Sequence, residues 1–195
     1  MKKFTFTILI IVWSSLILSS QTIKSYTGTY KLSYSLLTSG QATYKYYEKD
    51  GKEIKDGTFT FSTSSSTTAA DMSIKINGTY DEDLKSGLWN YTVTIDQTSK
   101  TKTVISLKAN YKDGLPDGVW TATLKLTSYK DNITADSKLV ANFINGCFVN
   151  DFTFTFSSPD ETSDIVIELD EEGNYVSYKN KKNQNLTTNE YYNLN

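Results

Sequence analysis

From Trp89 onward the chain alternates apolar and polar side chains with a period of two, the mark of strands with one buried face. Trp89, Tyr91, Val93 and Ile95 interleave with Leu88, Asn90, Thr92 and Thr94. Trp120, Ala122, Leu124 and Leu126 interleave with Val119, Thr121, Thr123 and Lys125, and Phe152, Phe154 and Phe156 with Asp151, Thr153 and Thr155. The returning runs behave alike, with Ile105, Leu107, Ala109 and Tyr111 in one set and Leu139, Ala141 and Phe143 in another. Turn formers lie between them: Asp113-Gly114-Leu115-Pro116-Asp117-Gly118 at one end, Asp96-Gln97-Thr98-Ser99-Lys100 and Lys130-Asp131-Asn132 at the other. Gly supplies positive φ there, and Asp or Asn closes a turn through its side chain. After the first twenty residues no stretch shows a 3.6-residue apolar period, and 2 Pro in the whole chain leave long ladders unbroken. The expectation is an all-β protein, an elongated antiparallel meander of β-hairpin repeats in a single-layer or curled sheet.

The alternation sits inside a longer repeat. Tyr80, Gly87 and Trp89 have the same mutual spacing as Tyr111, Gly118 and Trp120. Phe143, Asn150 and Phe152 keep that spacing with Asn in the Gly place and Phe in the Trp place. Asp56-Gly57-Thr58-Phe59 looks like the same ending, preceded by Tyr47 and Asp50-Gly51 with a longer turn. The successive steps from Phe59 to Trp89, Trp89 to Trp120 and Trp120 to Phe152 are 30, 31 and 32 residues, which predicts one hairpin per repeat. One hairpin buries too little apolar surface to offset the entropy of ordering it, so the units must fold as a cooperative array. Tyr30 to Tyr47 and Ile165 to Tyr178 read as degenerate strands that cap the array. The repeat domain is thus expected over 21–178, with a polar tail at 179–195.

Ahead of the array, Lys2 and Lys3 precede an apolar and small-hydroxyl run from Phe4 to Leu18, the layout of a secretory signal peptide, with cleavage expected after Ser20. The run is short for a membrane span, so contact with a membrane is expected only through an uncleaved leader. The protein is expected to be exported, to the periplasm or outside the cell. Its formal charge of −2 falls to −4 once Lys2 and Lys3 leave with the leader.

The His count is 0 and every residue in the Lys+Arg count of 20 is Lys. These absences remove Ser-His-Asp and Cys-His nucleophilic machinery, His-ligated metals and bidentate Arg recognition of phosphate. A nucleic-acid partner is disfavoured for the same reason and by the small net charge. Cys147 is the only cysteine, which forbids an intrachain disulfide, and its place among strand aromatics suggests a small buried apolar side chain. Asp81-Glu82-Asp83 and Asp170-Glu171-Glu172-Gly173 fall where turns are expected and lack the spacing of a calcium loop, so they read as solvated turn acids. No catalytic residue, metal ligand or cofactor is assigned. Their only catalytic use would be as the carboxylate pair of a small polysaccharide-active enzyme, which is kept as an alternative beside a purely structural envelope role.

The run Tyr111, Gly114, Gly118 and Trp120 resembles the MORN repeat, in the longer variant found in secreted and envelope proteins of Bacteroidetes-like bacteria. MORN units usually have about two dozen residues, so the longer period here implies longer hairpins. The resemblance implies an extended, twisted, single-layer sheet whose aromatic face forms a groove, and a binding or scaffolding role without a shared catalytic residue. The candidate binding face is the series Tyr80, Trp89, Tyr91, Tyr111, Trp120, Phe143, Phe152 and Phe154. Either these rings form an open ladder that stacks on a protein or glycan ligand, or they are the core, packed by curling of the sheet or by a second layer.

Overall fold

The computed structural model describes residues 21–32, 39–97, 100–158, 162–169 and 175–180, with backbone alone at 150–151, 162–165, 167–169 and 175–180. The leader at 1–20, the acidic run at 170–173 and the tail beyond Asn180 lie outside the described residues. Twelve strands follow one another: β1 Lys24–Lys31, β2 Ser39–Lys49, β3 Lys52–Ser66, β4 Asp71–Asp81, β5 Leu84–Gln97, β6 Thr101–Lys112, β7 Leu115–Pro116, β8 Gly118–Ser128, β9 Ile133–Ile144, β10 Cys147–Ser157, β11 Thr162–Leu169 and β12 Tyr175–Asn180. All lie in one sheet, in chain order, with the two-residue β7 beside β6, and β1 and β12 form its two open ends. Every pairing is antiparallel. The expected all-β meander is what the chain forms.

Each long hairpin is closed by two residues of positive φ: Asp50 and Gly51, Glu82 and Asp83, Asp113 and Gly114, Asn145 and Gly146. That pair of angles defines the type I′ turn, whose twist matches the flanking strands and which favours Asp-Gly and Asn-Gly. The turns also tie the hairpins together. The amides of Asp83, Gly114 and Gly146 donate to the carbonyls of Lys55, Lys85 and Pro116 in the preceding hairpin, at 2.8, 3.0 and 2.8 Å.

A few residues past each turn the returning strand carries two residues more than its partner. Tyr44 pairs Phe59 and Tyr46 pairs Lys55, so three residues of β3 face one of β2. Gly87, Leu88 and Trp89 likewise face Gly78, and residues 150–152 face Ala141. Between β6 and β7–β8, Lys108 pairs Thr121 and Tyr111 pairs Pro116, the same surplus of two. Gly57, Gly87 and Gly118 take φ of 103, 65 and 78° at these bulges, which explains why Gly precedes the ring by two positions in the first three repeats.

The two faces of the sheet differ sharply. One carries the rings, with Trp89 opposite Ala109, Tyr91 opposite Leu107 and Trp120 opposite Ala141. The other carries Thr, Ser and Asn side chains, the strand charges of β4–β10 apart from Lys85, and the exposed Leu84, Leu88, Leu115, Val119 and Ile144, with side-chain hydrogen bonds such as Thr127 to Thr134 and Asn90 to Asn77. On the ring face bulky and small residues alternate across strands: Phe59, Gly78, Trp89, Ala109, Trp120, Ala141. A Cβ on Gly78 would lie 2.2 Å from the Trp89 ring, so only glycine admits the indole there. The fully packed core is Ala42, Tyr44, Phe59, Phe61, Ile76 and Trp89, all on β2–β5, and Tyr30 from β1 packs against it. Tyr30 reaches Phe59 and Phe61, two strands away, at ring distances of 5.5 and 6.3 Å. Strands two apart in a flat sheet are about 9.6 Å apart, so the sheet curls toward its ring face at this end.

Two sequence expectations need correction. Cys147 is exposed, because it follows the Asn145-Gly146 turn on the polar face, in the repeat position that Leu84 and Leu115 also leave exposed. In the first repeat the residue paired with Lys55 is Tyr46, the counterpart of Tyr80 paired with Lys85. Tyr47 points to the other face, is 2% exposed, and donates its hydroxyl to Glu82 at 3.1 Å. The longer first turn is thus an extra pair of rungs.

Candidate functional site: the ring-bearing face

The eight ring positions named from the sequence all fall on one face, and seven of them form or join a continuous line of rings. Tyr80 meets Trp89 at 4.9 Å, Trp89 meets Tyr111 at 6.3 Å, Tyr111 meets Trp120 at 5.2 Å and Trp120 meets Phe143 at 4.8 Å. Phe143, Phe148 and Phe152 continue it at 5.5 and 5.9 Å, and Tyr91 joins from the side of Trp89 at 6.1 Å. Phe154 lies opposite Leu139, one row nearer the far ends of the strands. The regularity follows from the bulges, which return each ring to the same level in every hairpin.

The eight positions are not equivalent in burial. Trp89 is 1% exposed and belongs to the core, whereas Tyr80, Tyr91, Tyr111, Trp120, Phe143, Phe152 and Phe154 are half-buried and present ring surface to solvent. Both indoles are pinned at their polar edge: Trp89 Nε1 donates to the Thr79 carbonyl at 3.1 Å and Trp120 Nε1 to the Asn110 carbonyl at 2.8 Å. These carbonyls flank the bulges, where the strand ladder is irregular, and the Asn110 carbonyl accepts the Asp117 amide at 3.0 Å as well as the indole.

Two lysines, Lys55 and Lys85, reach over these rings, and sequence reading missed both. Lys85 Nζ lies 4.8, 5.3 and 4.9 Å from the ring centres of Trp89, Tyr91 and Tyr111, and donates to the Tyr91 hydroxyl at 2.8 Å. Burial pushes its ammonium below the ordinary lysine value. Lys55 Nζ lies 5.5 Å from both the Tyr44 and Tyr80 rings and pairs with Asp83 at 3.5 Å. Lys55, Lys85, Pro116 and Phe148 follow one another at 30, 31 and 32 residues, the same intervals as the rings. That shared spacing was the signal available for finding them.

Burial also acts on the phenols. Tyr80 is pushed up to about 12, first by burial and then by Tyr30, Asp83 and Tyr111. Tyr91 is raised further, by burial and by its hydrogen bond with Tyr111, and Tyr44 by burial and its hydrogen bond to Glu53. At neutral pH the face is therefore apolar ring edge, neutral phenol and ammonium, suited to stacking and cation–π contact.

A second feature lies at the far end of β4 and β5 on the polar face. Asp71 and Asp96 are directly paired there, beside an open cleft of about 410 Å³ lined by Ser64, Ser65, Ser66, Ser73 and Thr94. Asp71 accepts from Ser66, and Asp96 accepts from the Tyr129 hydroxyl at 2.9 and 3.0 Å. Glu82 and Asp83, singled out from the sequence, are turn residues that accept from Tyr47 and the Lys55 amide.

Comparison with protein-family models, curated proteins and solved structures finds no match to this chain.

Proposed function

We propose that the chain is an exported, non-enzymatic β-repeat protein of the bacterial envelope or extracellular space, built from lengthened MORN-type hairpins, that binds or scaffolds a protein or glycan through its ring face. The observation that supports this reading most is the line from Tyr111 through Trp120, Phe143 and Phe148 to Phe152, half-buried rings 4.8–5.9 Å apart on a surface open to solvent. Sugar rings and apolar peptide side chains stack on such a strip, and Lys85 at its end offers a hydrogen-bond donor to a ligand hydroxyl or carbonyl. The test is a glycan array and an envelope pull-down with wild type and Trp120→Ala. Ligand retention should fall at least about tenfold while the circular dichroism spectrum is kept. Equal retention by both proteins would refute the reading.

One observation favours a second reading, a carboxylate-using polysaccharide-active enzyme. Asp71 and Asp96 are cross-strand neighbours on one face of the sheet and both line a hydroxyl-rich cleft. Glycosidases use two opposed carboxylates, one as acid and one as base or nucleophile. Release of reducing ends from a polysaccharide panel, lost in Asp96→Asn, would establish it, and no release from any substrate would dispose of it.

A further inference from the structure

Beyond the ring line, toward the far strand ends, the same face turns aliphatic. Ile105, Leu124, Leu126 and Ile133 are 39, 39, 40 and 47% exposed, and Ile95 and Leu139 beside them are half-buried. Register places all six on the ring face: Ile95 and Leu126 both oppose Thr103, Ile105 opposes Leu124, and Leu139 opposes Ala122. Ile133 closes the row opposite Ser128. Among the described side chains of β4–β10, Lys85 is the one charge on this face, and it sits at the turn end, away from the aliphatic rows. The strand charges Asp96, Lys102, Lys125, Asp136 and Lys138 alternate onto the other face.

We infer that this face is covered by the same face of a second copy of the chain, giving a two-fold dimer of sheets packed one on the other. The inference rests on the reading above that the face is there to be covered, and names the partner. Three observations carry it. The first is area. The uncovered part of the face spans four strands, β6 and β8–β10, and about four rows of side chains. At strand spacings of ~4.8 Å and face repeats of ~6.6 Å that is about 500 Å² per copy, or about 1,000 Å² for the pair. This reaches the size at which a specific interface is expected.

The second is charge. A two-fold contact sets the patch against itself, so a charge near the axis would meet its own copy. The aliphatic rows hold none. The third is shape. Beyond the curl at β1–β3 the rows are single-layer sheet, and two such sheets stack about 10 Å apart with their strands about 30° off parallel.

Sedimentation equilibrium of the purified protein, with L124K, L126K and T123K, tests this. Thr123 neighbours Leu124 but lies on the polar face, opposite Lys138. Leu124 and Leu126 are exposed enough for a lysine stem to lie along the surface with its ammonium in water, so each variant keeps its monomer fold, checked by circular dichroism. L126A, which adds no charge, is the second probe. Wild type and T123K should sediment with the mass of two chains. L124K and L126K should raise the dissociation constant at least about tenfold and L126A by a smaller factor. A single-chain mass for wild type overturns the dimer, as does weakening by T123K equal to that by L124K. A single-chain mass with Trp120-dependent ligand retention would remove the dimer and leave the binding role standing. A dimer that retains no ligand would do the reverse.

Discussion

The two halves of the ring face are built from the same repeat, yet one is a finished core and the other is not. In β1–β5 the first strand contributes Tyr26 and Tyr30 to rings already present on β2 and β3, and the sheet curls under them. Phe59 and Phe61 are 2% exposed there and Trp89 1%. In β6–β10 the same bulges and turns recur, but among the described residues no strand end folds over the face, and Trp120 stays half-buried. Identical backbone therefore gives two degrees of burial, and the difference lies in what covers a single layer. At the amino end the chain supplies its own cover, and at the other end none of the described residues does.

The largest expected effect separates the two tryptophans. Trp89→Ala should lose about 3–5 kcal/mol of unfolding free energy, through a cavity beside Gly78 and Ala109 and an unpaired Thr79 carbonyl. Trp120→Ala, half-buried already, should lose about half as much by urea unfolding. Equal losses would mean that the carboxyl half is packed as tightly as the amino half, and would erase the contrast.

Next comes the cover itself. Tyr30→Ala should cost about 1–2 kcal/mol, less than a core ring because Tyr30 is half-buried at the sheet edge. Its diagnostic consequence is faster amide exchange along β2 and β3, with β8 and β9 unchanged. Uniform loosening would show that cover is not local.

The smallest effect is a pH slope. The phenols of Tyr44, Tyr80 and Tyr91 titrate above the ordinary value of 10.0 in the folded chain. A raised acid is protonated in the folded state where the unfolded chain has lost its proton, so its stabilisation is full below pH 10 and fades as pH climbs. For Tyr80 that window runs from 10.0 to about 12. Lys85 acts the other way and lower down: its depressed value means that stability rises as pH approaches 10.5. The melting temperature should therefore drop steeply above pH 10, and Tyr80→Phe should reduce the proton uptake on folding by up to about one. All three tyrosines lie in β2–β5, and in the carboxyl half the Tyr129 phenol, raised by its hydrogen bond to Asp96, adds to the slope with the same sign.

Much of this fold could be read from the residues. Period-two alternation located the strands, and the recurrence of Phe59, Trp89, Trp120 and Phe152 set the hairpin repeat. The bulges were hidden for a physical reason: each adds two residues, so the side-chain alternation runs across it without changing face. A one-residue bulge would have broken the pattern and shown itself. Tyr46 and Tyr47 were confused because only register, which depends on the length of the first turn, decides which of two adjacent tyrosines faces the rings. Gly78, Ala109 and Ala141 were legible by their spacing, but small residues carry little weight in a reading led by hydrophobicity. Exposure was the least legible property, since it depends on curl and cover and not on any residue's own chemistry.

The amide of each turn's second residue binds only the hairpin before it, from Asp83 to Lys55, from Gly114 to Lys85 and from Gly146 to Pro116. The array consequently has a direction of growth. As the chain emerges from its amino end, each new hairpin finds a completed edge with its acceptor already in place, and no segment waits for one synthesised much later. Length then becomes a free variable: hairpins can be added at the far end without revising those already laid down, much as courses are added to a wall.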